Sequence, residues 1–109
     1  MKDNVKSGAL TEVTFFILLA LYEPKHGYAI MQFIDEKTGG RLVLGAGSLY
    51  GAINTLTEKG WIEPCGSSDG RKKEYIITDL GKQIAEKELE RLRNLTQTAA
   101  EIMFGKEQK

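Results

Sequence analysis

Near its C-terminus the chain carries a long segment with the periodicity of an amphipathic α-helix, and this segment limits what the whole chain can fold into. Between Asp79 and Phe104, apolar residues recur at steps of three and four. Thr78 is placed to cap this helix. The chain has 109 residues, enough for one modest core, and the apolar stripe is too long for that core to cover. We therefore expect part of the stripe to mediate dimerisation, through Leu89, Leu92, Leu95, Ala99 and Ile102.

Three shorter segments before it also have the pattern of helices. The first helix is predicted over about residues 8–22, and residues 14–22 are the most apolar part of the chain. It ends at Glu23-Pro24, because proline disfavours helical geometry in the residue before it. Residues 26–37 follow and end at a pair of glycines. A third helix is predicted from about residue 45 or 46 to residue 59, with Gly60 as its stop. Between the last two, residues 41–44 are long enough only for a small strand.

A β-hairpin separates the third helix from the last one. Residues 61–65 and 74–78 have the composition of two strands, and a turn rich in glycine and serine joins them. The turn ends in three consecutive cationic residues, Arg71, Lys72 and Lys73, so the hairpin has a positive tip. The order of elements is typical of a winged helix-turn-helix followed by a C-terminal helix. This is a mainly α fold with a small β-hairpin, in the α+β class.

The third helix has two different faces. Leu49, Ile53 and Leu56 recur at intervals of four and three, which places them on one inward stripe. The residues on or beside the opposite face are uncharged and either polar or small, so this face can enter a groove. They are Ser48, Tyr50, Gly51, Asn54 and Thr55.

Each of these residue types has a use on duplex DNA. In the major groove an asparagine such as Asn54 can pair bidentately with adenine, and the hydroxyls of Ser48 and Thr55 can reach base edges or phosphates. Tyr50 can offer its hydroxyl to a phosphate, and Gly51 lets the backbone come close. The basic hairpin tip supplies charge near the DNA backbone or minor groove. We expect one domain over residues 1–109, with a winged-helix DNA-binding part at 8–78 and a dimerisation helix at 79–104.

The overall charge limits how such a protein can bind DNA. Lysine and arginine number 15, as do aspartate and glutamate, so the formal net charge is zero, which argues against binding by bulk electrostatics. The charges are unevenly distributed, because the basic triplet lies in the hairpin and glutamates gather in the C-terminal segment. Two modest modules in a dimer, about 34 Å apart, can supply the affinity that one weakly basic surface lacks.

Several other classes of protein are disfavoured. The apolar run from Phe15 is about half the roughly 20 residues that a bilayer span needs, and residues 1–7 lack a signal-peptide pattern. The only cysteine, Cys65, has no Cys/His partner nearby, so we expect a cytoplasmic protein without a metal or cofactor. We interpret Cys65 as a strand residue, with a redox sensor as the alternative, and His26 as a structural residue. No nucleophile and base arrangement stands out, so an enzyme is not expected.

Residues 26–30, 47–50 and 70–75 are three ordered segments that together span nearly the whole chain, and they resemble motifs of the PadR-like transcriptional regulators. Residues 26–30 (His-Gly-Tyr-Ala-Ile) are similar to the family's His-Gly-Tyr-x-Ile opening of the second helix. Residues 47–50 (Gly-Ser-Leu-Tyr) are similar to its Gly-Thr/Ser-Leu-Tyr recognition helix. Residues 70–75 (Gly-Arg-Lys-Lys-Glu-Tyr) are similar to its Gly-Arg-x-[Arg/Lys]-x-Tyr wing, and Thr78 and Gly81 match the Thr-x-x-Gly that follows it.

The resemblance implies a winged-helix regulator that binds duplex DNA as a homodimer. The length places the chain with the short members of the family, which dimerise through one C-terminal helix. Some short members resemble multidrug sensors that hold flat aromatic ligands between tryptophans. Here the only tryptophan is Trp61, in the first wing strand, and the corresponding part of the last helix has Leu89 and Leu92. That ligand class is therefore not predicted for this chain.

Two functions from different classes stay open at this point. The first is a DNA-binding repressor that reads a pseudo-palindromic operator as a homodimer and is released by a small-molecule effector near helix one and the dimer helices. The alternative is a winged-helix protein-protein interaction module without operator recognition, which the zero net charge keeps open. DNA binding that depends on Asn54 and Arg71 distinguishes the two.

Overall fold

The computed structural model describes residues 8–66 and 73–105 of the chain. Within these ranges the fold is mainly helical with one small antiparallel sheet, which confirms the predicted fold class. The elements in chain order are α1 (Glu12–Ala20), β1 (Lys25–His26), α2 (Gly27–Lys37), α3 (Ala46–Lys59), β2 (Ile62–Gly66), β3 (Glu74–Ile77) and α4 (Asp79–Phe104).

Helix α1 lies at the centre of the core because it is apolar on nearly every side. Ile17 and Leu18 are fully buried, and α1 packs against both α2 and α4. Helix α3 adds its inward stripe of Leu49, Ile53 and Leu56, all of which are buried. The predicted division of α3 into an inward and an outward face is therefore confirmed.

The predicted bounds of the first helix, residues 8–22, are wrong at both ends. The hydroxyl of Thr11 accepts a hydrogen bond from the amide of Thr14 at 3.1 Å, so it caps a helix that begins at Glu12. Gly8 has a φ of 78°, in the left-handed region and outside helical geometry. The helix ends at Ala20, two residues before the predicted end.

The predicted small strand at residues 41–44 is also wrong. The strand that joins the two hairpin strands in the sheet is β1, which lies before α2. Strand β3 pairs antiparallel with β1 on one side and β2 on the other, so the sheet order is β1-β3-β2 and both edges of β3 are used. Residues 41–44 are tied to helices instead. The amide of Leu42 donates to the hydroxyl of Thr38 at 3.1 Å, and Arg41 forms an ion pair with Glu12.

The other helix ends follow local signals. His26 caps α2, because its Nδ1 accepts from the amide of Ala29 at 3.4 Å, which confirms its structural role. Gly60 ends α3 in the left-handed conformation, with a φ of 79°. Thr78 caps α4 by accepting from the amide of Gly81 at 3.0 Å, as predicted.

Helix α4 extends beyond the body on which it packs. Its 26 residues correspond to a length of about 39 Å, and the molecule measures 57 × 28 × 22 Å. Across residues 8–66 and 73–105, no helix combines the length and the apolar character that crossing a membrane requires.

Candidate functional site

The outward face of α3 is uncovered along its length. Ser48, Gly51, Asn54 and Thr55 are all exposed, and Tyr50 is half-exposed. The structure therefore brings these five predicted residues to one side of a single helix. They do not all point the same way, because α3 turns by a full circle every 3.6 residues.

The outermost line of α3 includes an acidic residue that the sequence analysis did not single out. Gly47, Gly51, Asn54 and Glu58 follow one another at steps of four, three and four, and all are exposed. Glu58 lies one turn beyond Asn54. A carboxylate there repels phosphates and can accept a hydrogen bond from the amino group of cytosine. Continuing the helical spacing past Asn54 would have found it.

One flank of this face lines an open groove between α1 and α3, with a volume of about 610 Å³. We call it the α1–α3 groove. Every residue that lines it is uncharged, and the neighbouring charges of Arg41 and Glu12 neutralise each other in a two-bond ion pair. The lining residues are Thr11, Val13, Leu44, Ser48, Gly51, Ala52 and Thr55.

The other flank of the α3 face rests on the start of α2 through Tyr50. A β-carbon built on Gly27 would lie 2.7 Å from Cζ of Tyr50 and closer still to its hydroxyl oxygen. Gly27 is buried beneath this ring. The contact joins two motifs that lie more than twenty residues apart in the sequence, and neither motif alone predicts it.

The wing is the hairpin formed by β2 and β3, and its described part carries both signs of charge. Lys73 is exposed, whereas Arg71 and Lys72 lie outside the described residues. Desolvation, followed by the negative charges of Glu74 and Glu63, raises the pKa of the Cys65 thiol above its ordinary value. A raised pKa lowers the thiolate fraction and hence the reactivity of Cys65. This favours the strand interpretation of Cys65 over the redox sensor.

The end of α3, the wing and the start of α4 meet at one junction. The hydroxyl of Thr78 donates to the carbonyl of Gly60 at 2.6 Å, and the amide of Thr78 donates to the carbonyl of Trp61 at 2.9 Å. A β-carbon on Gly81 would lie 2.7 Å from Cγ1 of Ile77 and would collide with the carbonyl of Trp61. The Thr-x-x-Gly motif therefore ties α4 closely to the end of α3.

An ion pair between a buried carboxylate, Glu88, and the partly exposed Arg91 anchors the middle of α4. The carboxylate of Glu88 accepts two hydrogen bonds from Arg91, at 2.9 Å and 2.6 Å, and one from the amide of Leu10 at 3.3 Å. The pKa of Glu88 is held below its ordinary value, mainly by the hydrogen bonds from Arg91 and further by the amide of Leu10. These effects outweigh desolvation, which raises the pKa. The residue is 2% exposed. This link joins α4 to the segment that leads into α1.

Beyond this anchor, α4 exposes apolar side chains. Among the predicted dimerisation residues, Leu89, Leu95 and Ile102 are exposed, while Leu92 and Ala99 are half-buried. Two further exposed apolar residues at the tip of the helix, Met103 and Phe104, lie outside the predicted dimerisation set. Within the described residues, no group of three or more His, Cys, Asp or Glu side chains is placed to hold a metal ion.

The chain is similar to a known protein family and to several solved structures. The model of the PadR-like family of transcriptional regulators matches residues 17–87. The chain is also 35% identical over 86 residues to an uncharacterized 37.1 kDa protein in transposon TN4556 of Streptomyces fradiae. That match covers 78% of the chain and 24% of the relative, so the chain spans about a quarter of the length of this curated relative.

Solved structures of regulators have the same fold. A PadR family regulator from Clostridium difficile superposes with a TM-score of 0.71 at 22% identity, covering 85% of the chain and 99% of the other. RosR from H. salinarum gives a TM-score of 0.63 at 28% identity, covering 86% and 94%. Bacillus subtilis PadR, solved in complex with operator DNA, gives a TM-score of 0.63 at 28% identity, covering 72% of the chain and 46% of that protein.

Proposed function

The chain belongs to the PadR-like family of transcriptional regulators, and from this we propose that it is a repressor that reads a pseudo-palindromic operator as a homodimer. The observation that carries the proposal is the uncovered outward face of α3, where Ser48, Gly51, Asn54 and Thr55 are polar or small. The opposite face of the helix is buried in the core. A helix of this kind fits the major groove, where each base pair displays a distinct hydrogen-bonding pattern. The similarity to Bacillus subtilis PadR, solved with operator DNA, supports the same use.

The residues of this face divide between reading and positioning. Asn54, on the outermost line, pairs with adenine, while the hydroxyls of Ser48 and Thr55 reach base edges or phosphates from the flank. Tyr50 donates its hydroxyl to a phosphate. Gly51 adds no side chain to an open surface and so lets the duplex approach the helix backbone.

The wing supplies the positive charge that the outward face of α3 lacks. Lys73 is exposed, and Arg71 and Lys72 precede it directly in the sequence. These cations contact the DNA backbone or the minor groove. Glu63 and Glu74 lie on the two strands of the hairpin and limit its charge, so affinity is shared between the two modules of a dimer.

Helix α4 holds the two modules together. Its exposed apolar residues are covered by a second copy, which removes them from water. A two-fold dimer presents two copies of α3, and spacing near one DNA turn, about 34 Å, matches a pseudo-palindromic site. Repression then requires only that the bound dimer occupies the operator.

Release by a small-molecule effector completes the proposal. A ligand that prefers a dimer with wrongly spaced α3 helices lowers operator affinity by shifting the population. The α1–α3 groove, at about 610 Å³, falls within the roughly 300–1,000 Å³ typical of small-molecule sites. It supports an effector site beside α1 and α3, whereas the sequence led us to expect one beside α1 and the dimer helices. Because Ser48, Gly51 and Thr55 line the groove, a ligand there would also compete with DNA directly.

Fluorescence anisotropy on the protein's own upstream DNA tests the proposal. Asn54→Ala should weaken binding by about 1–3 kcal/mol, and Arg71→Ala should weaken it and reduce its salt dependence. Asn94→Ala and Lys87→Ala, at exposed positions of α4, are the matched controls and should leave affinity unchanged. If the first two variants bind as tightly as the wild type, the DNA surface is wrongly assigned.

A winged-helix protein-interaction module is the second candidate function. It is favoured by the zero net charge and by the outermost line of α3, which contains Glu58 and neither lysine nor arginine. Selection from random duplexes separates the two candidates. Recovery of no preferred sequence, together with a partner protein that co-purifies and is lost on Asn54→Ala, would favour the module.

A further inference from the structure

Gly27 is a glycine because of its neighbour and not because of its own backbone. It is absent from the residues with positive φ, so an alanine could adopt its conformation. The obstacle is Tyr50, whose Cζ would lie 2.7 Å from a β-carbon at position 27. The missing side chain therefore leaves room for the Tyr50 ring to pack against the first turn of α2. We call this packing position on Gly27 the seat of Tyr50.

Folding stability does not explain this seat. The Tyr50 side chain is 47% exposed, so its ring can swing toward water if a β-carbon displaces it. Gly81 is the contrasting case, because a β-carbon there would meet the backbone carbonyl of Trp61, which cannot move aside. Alanine at position 27 should consequently change where the Tyr50 ring lies much more than it changes the free energy of unfolding.

The seat fixes the ring at the surface where α2 and α3 meet. Tyr50 precedes Asn54 by four residues, so the two side chains are neighbours on the same side of α3. A ring held against Gly27 keeps its hydroxyl beside the first turn of α2, at a fixed place relative to Asn54.

We propose that Gly27 is a positioning residue for DNA binding and that it acts through Tyr50. The inference rests on the proposed function and deepens it by naming what aims the phosphate-contacting hydroxyl. Because the effect passes through one contact, Gly27 should have no influence on DNA affinity once the Tyr50 ring has been removed.

A double-mutant cycle measured by anisotropy on duplex recovered from random-site selection tests this. Gly27→Ala and Tyr50→Phe should each weaken binding by about tenfold, the effect of losing one hydrogen bond to a charged group. Tyr50→Ala should weaken it at least as much. Gly27→Ala combined with Tyr50→Ala should bind like Tyr50→Ala alone. The inference would be overturned if the double variant bound more weakly than Tyr50→Ala by the full factor seen for Gly27→Ala alone. It would also be overturned if Gly27→Ala bound like the wild type.

Two further measurements separate positioning from loss of structure. The melting temperature of Gly27→Ala should stay close to that of the wild type and of Gly47→Ala, a control whose β-carbon meets no atom within 4 Å. The carbon-proton NMR resonances of the Tyr50 ring should shift in Gly27→Ala. Unshifted resonances contradict the seat even if the chain binds no DNA. If the wild type binds no DNA while the Tyr50 resonances shift in Gly27→Ala, the proposed function is refuted and the seat itself is established.

Discussion

The two halves of α4 carry a similar apolar periodicity, yet only the first half buries residues against its own chain. Gly81, Ala85 and Glu88 in the first half are buried against α1 and the sheet. In the second half, Leu95 is 55% exposed and Ile102 is 77% exposed. The periodicity is similar in both halves, so it does not tell which residues meet their own core.

The two halves differ in which parts of the fold lie beside them. The first half lies close to the wing because Gly81 has no side chain, and it is tied to the start of α1 by the Glu88 link. No element of the described residues reaches far enough to cover the exposed side chains of the second half. One helix thus serves the fold at its start and is available to a partner at its end.

Substitution of Gly81 should have the largest effect on this contrast. In Gly81→Val the new side chain collides with the carbonyl of Trp61, and the backbone there cannot yield without loosening α4. We expect a loss of about 3 kcal/mol or more in the free energy of unfolding, measured by urea denaturation. Gly47→Val, which enters open space, should lose less than about 1 kcal/mol. Equal losses in the two variants would contradict a tightly held first half.

Charge on the second half should act on association and leave the fold intact. Leu95→Asp combined with Ile102→Asp should weaken the proposed dimer by about 100-fold or more, because two apolar contacts are replaced by buried charges. Light scattering should show a shift to monomer, while the circular dichroism spectrum stays helical. A dimer that persists at low concentration would place the interface elsewhere.

The Glu88 link between α4 and the start of α1 should make stability depend on pH. Since its Arg91 hydrogen bonds lower the folded-state pKa of Glu88, ionised Glu88 contributes stability above its unfolded pKa of about 4.5. That contribution is lost as the pH falls through the lowered folded-state value. Glu88→Gln should be less stable by about 1–2 kcal/mol at pH 7, and the difference should shrink below about pH 4. A constant difference across this range, in melts at several pH values, would contradict it.

An exposed leucine off the stripe should have the smallest effect. Leu80 lies in the first half of α4 and is 46% exposed, on the flank of the buried line formed by Gly81, Ala85 and Glu88. Leu80→Gln should change the free energy of unfolding by less than about 0.5 kcal/mol and should leave association unchanged. Loss of the dimer in this variant would show that the interface wraps further around α4 than the stripe.

Much of the helical structure is predictable because its signals are local. The bounds of α4 match those predicted from Thr78 and the apolar period, and Gly60 ends α3 as expected. Strand β1 was missed because two residues give no period, and residues 41–44 were assigned to a strand although hydrogen bonds to α2 hold them. Strand β1 depends on pairing with β3, which is distant in sequence, and residues 41–44 are held both by the nearby Thr38 and by the distant Glu12.

The candidate site divides in the same way. Periodicity was sufficient to put Ser48, Gly51, Asn54 and Thr55 on one exposed face, because the core and surface sides of α3 differ in residue type. The α1–α3 groove and the seat of Tyr50 on Gly27 could not be derived, since each depends on how one helix is set against another.

The sequence by itself determined the helices, the hairpin and the apolar stripe of α4, because hydrophobic period and capping residues act over a few neighbouring positions. Only the tertiary structure decided which half of that stripe is covered, where the third strand pairs and why Gly27 has no side chain. These features depend on distances between segments far apart along the chain, and such distances are set by packing of the whole core.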